Sequence, residues 1–424
     1  MRTEIGDTIM PNTDMASARE RAESMPLADI DVSHVDLHET DTQWPFFDRL
    51  RREAPVHFCR DSHHGAYWSL SRFHDIKHVD ADHEHFSSDT NITLFDQADD
   101  FTMPMFIAMD PPTHDVQRKA VSPVVAPPNL AVLESTIRAR VCGILDSLPL
   151  GETFNWVDLV SIELTTQMLA TLLDFPFDER RNLTHWSDVM SGGTISGVTR
   201  SRDHRQQELL ACLKRFTELW HEKSRAAPAN DLISMLAHGK STHDMIERPM
   251  EYLGNVMLLI VGGNDTTRNS ISGGVLGLNR FPEEYQKLRD DPTLVPNFVA
   301  EVIRWQTPLA HMRRTAMEDV ELHGQRIRKG DKVVMWYISG NRDETVFDDP
   351  HRLKVDRPNA RSHVSFGYGI HRCMGNRLAE MQLRVLWEEI LPRFHTVEMV
   401  GEPKRIRSNL IRGYRELPVQ LHRH

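Results

Sequence analysis

The sequence predicts one large, mainly α-helical domain with a minor β region. Three observations carry this expectation. From residue 128 to about 277, apolar residues recur at helical spacing with few strand signals. Within that span, residues 255–281 form the longest apolar stretch of helical length, and Pro282 is a natural stop. Between 320 and 339 the pattern changes to short alternating runs broken by glycine turns. Length alone, at 424 residues, would suggest two or three domains. No repeat, low-complexity tract or Gly/Ser linker divides the chain, however.

The elements follow in order. Residues 1–35 are expected as a flexible, polar N-terminal arm and residues 36–424 as the single domain. Residues 44–54 read as a helix and 56–70 as a strand pair. Residues 87–109 are irregular, with Phe95, Phe101, Met103, Met105, Phe106 and Met109 among acids and threonines. A helix over 298–307 ends before Pro308. An irregular stretch then runs to Ser365, followed by a glycine-rich loop and a last helix over about 374–391.

Composition narrows the function classes. The net charge of −11 argues against a nucleic-acid binder, which needs a basic face. The longest apolar runs are six residues, such as 256–261 and 333–338, where a membrane span needs about 20. The first residues lack the apolar centre of a signal peptide, so a cytoplasmic protein without a membrane span is expected. The four cysteines, Cys59, Cys142, Cys212 and Cys373, are far apart in sequence and form no C-x-x-C pair. Scattered thiols in a reducing compartment are ordinarily inert core residues.

Cys373 departs from that default because of its surroundings, Phe366-Gly-Tyr-Gly-Ile-His-Arg-Cys-Met-Gly375. Gly367, Gly369 and Gly375 let the backbone pass close to a flat ligand. Cys373 precedes a helix, whose free N–H groups and positive dipole end favour a thiolate. A thiolate is the axial ligand that pushes electron density onto haem iron. Phe366 is placed to shield the sulfur, and His371 to reach a haem propionate.

This segment resembles the haem-binding loop of the cytochrome P450 superfamily. The resemblance runs from about residue 44 to the C-terminus and implies that fold, with haem b (iron protoporphyrin IX) buried between a long central helix and the cysteine loop. Cys373 would be the iron ligand. Gly262-Gly263-Asn264-Asp265-Thr266 lies inside the long apolar helix, where buried polar groups need partners. In the family this acid–alcohol pair delivers protons to iron-bound O2, which assigns Asp265 and Thr266 as catalytic. Glu301 and Arg304 stand three apart on one helix face, and the family joins them to a later arginine, here Arg357, as a structural brace. His114 and Arg118 present two cations at i,i+4, for which haem propionates supply anions. Arg314 falls where the family places another propionate contact, although Arg313 beside it leaves that assignment ambiguous by one residue. The histidines His63, His64, His74, His78, His83 and His85 form no recognised metal set and read as solvated.

Within the superfamily the sequence looks most similar to the bacterial alkane and fatty-acid terminal (omega) hydroxylases. The segments 104–112, 259–270, 311–316 and 375–380 carry this likeness. Many relatives hold arginine where Glu380 stands. The resemblance implies insertion of one oxygen atom from O2 into the terminal C–H bond of an apolar chain. It places Met103, Met105, Phe106, Leu258, Leu259, Gly262, Leu309 and Met312 around the substrate. Electrons would come from NAD(P)H through a ferredoxin reductase and an iron–sulfur ferredoxin. Arg118, Lys119, Arg361, Arg372 and Arg377 would form a basic docking patch. A terpene or other hydrophobic substrate, a peroxide-driven reaction and a non-enzymatic haem sensor stand as alternatives.

Overall fold

The apolar stretch expected over 255–281 lies within a 32-residue helix, Pro249–Arg280, in the computed structural model, which describes residues 15–89, 91–96, 100–192 and 197–423. Proline at its first position suits a helix start, where the missing N–H costs no bond. At about 1.5 Å per residue it is roughly 48 Å long, and most of it is buried. Its later glycines serve packing. A Cβ on Gly273 would lie 2.6 Å from the Gln306 side chain, and one on Gly277 2.6 Å from Leu353.

Helices Glu163–Leu173, Arg181–Ser191, Arg202–Arg225, Val295–Gln306 and Asn376–Arg393 pack around this central helix. They share one apolar core that includes Leu164, Phe216, Val302, Leu383 and Trp387. Each fully buried side chain of this size contributes about 1.5–3 kcal/mol.

The β region is minor, as expected, and is spread over twelve short strands among the described residues. Strands β1 (Val56–Cys59), β2 (Tyr67–Leu70) and β3 (Phe86–Ser87) come early in the chain, then β4 (Phe154–Asn155). Strands β5 (Met312–Ala316), β6 (Val320–Leu322), β7 (Gln325–Ile327) and β8 (Lys332–Met335) follow the helical region. Beyond the last helix come β9 (Phe394–Met399), β10 (Lys404–Arg405), β11 (Tyr414–Glu416) and β12 (Pro418–Arg423). The main sheet has the order β1-β2-β8-β5-β3, with only β2 and β8 parallel. The β6–β7 hairpin turns at His323 and Gly324, both at positive φ (51° and 74°), as a tight two-residue turn requires. A second sheet, β4-β12-β9, closes the C-terminal end.

The N-terminal arm is a correction. Residues 1–14 lie outside the described residues, but Met15–Ser24 is a helix with Ala18 and Ala22 fully buried. Arg49 donates to the carbonyls of Ala22 and Met25, both at 2.5 Å. Ile30 and Val32 are also buried.

The segment 31–41 straps the C-terminal region. Asp41 accepts from Arg405 (2.7 Å) and Arg412 (3.1 Å), Arg407 pairs with Asp36 and Glu39, and Asn409 donates to the Ser33 carbonyl (2.6 Å). Two buried histidines complete it: His38 bonds the Val32 carbonyl (2.9 Å), His311 the Asn409 carbonyl (3.1 Å), and both rings pack on Trp336.

Burial pushes His38 down to about 4 and His311 to about 3. Below their ordinary value of 6.5 the unfolded chain therefore binds protons that the folded one refuses, and stability falls as pH drops from 6.5 toward 4. For His38 the loss is on the order of 3 kcal/mol by pH 4. His38→Gln should flatten the slope of urea-unfolding free energy against pH in this window, and an unchanged slope would refute the assignment.

Candidate active site

The cysteine loop is held open by its backbone. Gly367 and Gly369 have φ of 66° and 70°, a region that favours glycine. At Gly369 a Cβ would also come within 2.6 Å of the Asp80 carbonyl oxygen. The Cys373 N–H donates to the Phe366 carbonyl (2.7 Å) and closes the loop. Burial pushes the Cys373 thiol up, opposed by the N–H groups of Gly375 and Asn376 at the start of helix Asn376–Arg393 and by Arg118 and Arg372.

Cys373 faces a cavity of about 640 Å³, within the ~300–1,000 Å³ range of cofactor and ligand sites. The loop contributes Phe366, Gly367, His371, Met374 and Gly375 to its wall, and the central helix contributes Leu258, Leu259, Gly262 and Thr266. Met103, Met105, Phe106, Leu309 and Met312 line it too, so the residues expected around the substrate share one cavity with Cys373. Leu169, Leu172, Leu410 and Ile411 join them without having been expected.

The expected propionate contacts also converge. Arg118, Arg314 and His371 line the cavity, and the His114 and His371 rings are 4.3 Å apart. Arg314 donates to buried Asp80 (2.6 Å), which also accepts from the Tyr337 hydroxyl and the Tyr368 N–H (both 2.7 Å). Arg313 pairs with Asp96 (2.6 Å) and is not part of the cavity wall, so Arg314 is the arginine that faces the cavity. Burial, with Arg314, His114 and Arg118 nearby, pushes His371 down to about 2.

Asp265 and Thr266 part company. Thr266 lines the cavity and its hydroxyl donates to the Gly262 carbonyl (3.1 Å). Asp265 is fully buried and turned toward helix Arg181–Ser191, where its Oδ1 accepts from Ser187 (2.8 Å) and pairs with Arg268 (3.0 Å). Arg268 also pairs with Asp188 (2.5 Å). Burial pushes the Asp188 carboxyl up, with Arg268 opposing and Asp265 adding to the shift. Asp265 Oδ2 has no hydrogen-bond partner.

Glu301 binds both arginines assigned to it: Arg304 through Nε (2.7 Å) and Nη2 (2.8 Å), and Arg357 through Nε (2.9 and 3.0 Å). All three are buried. The link to the cysteine loop runs through Asn341 and Ser365. Arg304 donates to the Asn341 carbonyl (2.7 Å), and Asn341 Nδ2 donates to Ser365 Oγ (2.8 Å). Asn341 Oδ1 accepts from the Val364 N–H (2.8 Å), two residues before Phe366.

The site suits a flat, dianionic cofactor. The wall opposite a Cβ of Gly262 or Gly375 is open, with nothing within 4 Å. Both ring nitrogens of His371 and Nε2 of His114 are buried without a hydrogen-bond partner. Arg118 reaches only the Arg372 carbonyl (2.5 Å). A haem offers an iron for the sulfur, apolar faces for the walls and two carboxylates for these hydrogen-bond donors. No three His, Cys, Asp or Glu side chains converge as a metal set among the described residues.

The cytochrome P450 family model matches residues 33–420. The chain belongs to the cytochrome P450 family. A cytochrome P450-153 from Novosphingobium aromaticivorans superimposes with a TM-score of 0.86 at 47% identity, covering 92% of this chain and 99% of the other. Linalool 8-monooxygenase of Pseudomonas putida is 37% identical over 92% of this P450 and 98% of its own length. A methyl-branched lipid omega-hydroxylase of Mycobacterium bovis is 32% identical over 93% and 95%. The P450 is thus a haem monooxygenase that uses O2, electrons from a redox partner and a small-molecule substrate. Among the described residues no helix is long and apolar enough to cross a membrane.

Proposed function

We propose that this P450 hydroxylates the terminal carbon of medium-chain alkanes, fatty acids or similar apolar chains. The observation that carries the reading is a single cavity walled largely by methionine, leucine and phenylalanine side chains with Cys373 in its surface. An apolar chain gains about 0.8 kcal/mol per buried CH2 there. The end carbon has the strongest C–H bond of the chain, so walls that orient the substrate must select it. The kinship with a lipid omega-hydroxylase supports this reading.

Cys373 would hold the haem iron, and His114, Arg118, Arg314 and His371 its propionates. The bound haem supplies activation of O2. Phe366 screens the sulfur, and the Gly375 and Asn376 N–H groups favour its anionic form against the effect of burial. Thr266 Oγ1 delivers a proton inside the cavity. Asp265 is the acid beside it in the chain, turned toward Ser187 and Arg268 and with Oδ2 free of a hydrogen-bond partner. Thr266→Ala is expected to consume NAD(P)H at a similar rate while forming several-fold less product. Unchanged product per NAD(P)H would remove Thr266 from proton delivery.

Electrons would come from an iron–sulfur ferredoxin and its NAD(P)H reductase in the cytoplasm. Lys119, Arg361, Arg372 and Arg377 are exposed and suit an acidic partner, with Arg361 partly offset by Glu380 (3.7 Å). Arg118 turns into the cavity instead. A terpene substrate is the second reading, favoured by the kinship with linalool 8-monooxygenase. Chromatography of products from octane, dodecanoic acid and linalool separates the two. Terminal alcohols from the chains support the first, and turnover of linalool alone would overturn it.

A further inference from the structure

Four arginines among the described residues line the cavity: Arg118, Arg202, Arg205 and Arg314. Two have a carboxylate partner, Asp100 for Arg202 and Asp80 for Arg314. Arg118 and Arg205 have none among the described residues. Arg118 lies with His371 among the groups assigned to the haem propionates. Arg205 belongs to a different wall, on helix Arg202–Arg225, and the haem reading leaves it without an anion.

The guanidinium of Arg205 donates from Nε to the Val189 carbonyl (3.2 Å) and from Nη2 to the Met190 carbonyl (3.3 Å) and Met190 sulfur (3.3 Å). Nη1 makes no hydrogen bond to the described residues. These two carbonyls belong to the last turn of helix Arg181–Ser191, whose partial negative charge orients the fork without neutralising it. Burial alone lowers the Arg205 pKa, with no carboxylate acting against it. A half-buried cation without a counter-ion is costly, so such a group is matched by an anion when its ligand arrives. A guanidinium also fits a carboxylate through two parallel N–H bonds.

Gln206 stands next to it on the cavity wall, and Met190 and Met257 are apolar neighbours in the same lining. The cavity thus joins an unpaired cation on one wall to apolar sides and to Cys373 on another. A ligand complementary to that arrangement is a hydrocarbon chain with an acid at one end. We infer that Arg205 binds the carboxylate of a fatty-acid substrate, so that chain acids are preferred over uncharged chains of equal length. Tethering the head at Arg205 leaves the far end of the chain to reach the Cys373 side. The inference rests on the terminal-hydroxylation reading and sharpens its substrate class.

The ferric holoenzyme tests it through the substrate-induced change in its Soret band, a binding readout independent of turnover. Dodecanoate is expected to bind about 10- to 100-fold more tightly than methyl dodecanoate, the size of one charge-assisted pair. Arg205→Gln should abolish that preference while leaving the ester's affinity unchanged, and Arg205→Lys should restore part of it. Equal weakening of both ligands in Arg205→Gln would mean that Arg205 only caps its neighbouring helix and would overturn the inference. Equal affinity of the wild-type enzyme for acid and ester would overturn it too, leaving terminal hydroxylation standing if dodecane still yields 1-dodecanol. No Soret change with either ligand and no terminal alcohol from dodecane would overturn both.

Discussion

The Cys373→Ser enzyme is expected to lose hydroxylation altogether. Serine matches cysteine in shape, and the Gly375 and Asn376 N–H groups would still point at its oxygen. What it lacks is an ionised, polarisable atom at neutral pH, and thiolate donation is what favours O–O cleavage in this chemistry. The CO difference spectrum of the reduced protein is the direct check. The wild type should show the red-shifted Soret band of a thiolate ligand, and Cys373→Ser should not. A wild-type band typical of histidine-ligated haem would sink the thiolate assignment itself.

Removing Glu301 should produce the largest loss of stability. The Glu301→Ala protein keeps two buried guanidinium groups, Arg304 and Arg357, with their shared carboxylate gone. Stripping one partner from a buried ion network typically costs about 3–5 kcal/mol. The damage should reach the haem, because Arg304 also fixes Asn341, and Asn341 holds the cysteine loop at Val364 and Ser365. Urea unfolding reads the first effect, and the ratio of haem to protein absorbance after purification reads the second. Wild-type stability with full haem content would show that the triad does not brace the loop.

The parts of this site that were legible in the sequence are those whose chemistry is local. Phe366, Gly367, His371, Cys373 and Gly375 declare themselves because a thiolate loop needs those residue types within ten positions. Asp265 was legible as a polar residue in an apolar helix, but not its direction. Consecutive helical residues point about 100° apart, and here Thr266 lines the cavity while Asp265 turns to Ser187 and Arg268. Asp80 was overlooked among polar neighbours, although it follows Phe73, Ile76 and Val79 on the buried face of helix Phe73–Ala81. Asn341, Ser365, Leu410 and Ile411 carry no sequence signal of their own, since their roles depend on contacts made across the fold. The N-terminal segment was misjudged because its anchoring side chains are alanines. Ala18 and Ala22, four apart, bury one helix face that the surrounding charges conceal.

The strap between residues 31–41 and 405–412 bears on when this enzyme becomes able to work. Leu410 and Ile411 form part of the cavity wall, and the arginines on either side of them are held by Asp41, 364 and 371 positions earlier. A ribosome delivers the first partner long before the second, and loop closure over such a separation is a slow, late step. This part of the pocket wall is therefore among the last to be set in place. A chain that stopped at Asn409 would lack Leu410 and Ile411 and leave the ribosome with this part of its pocket unwalled.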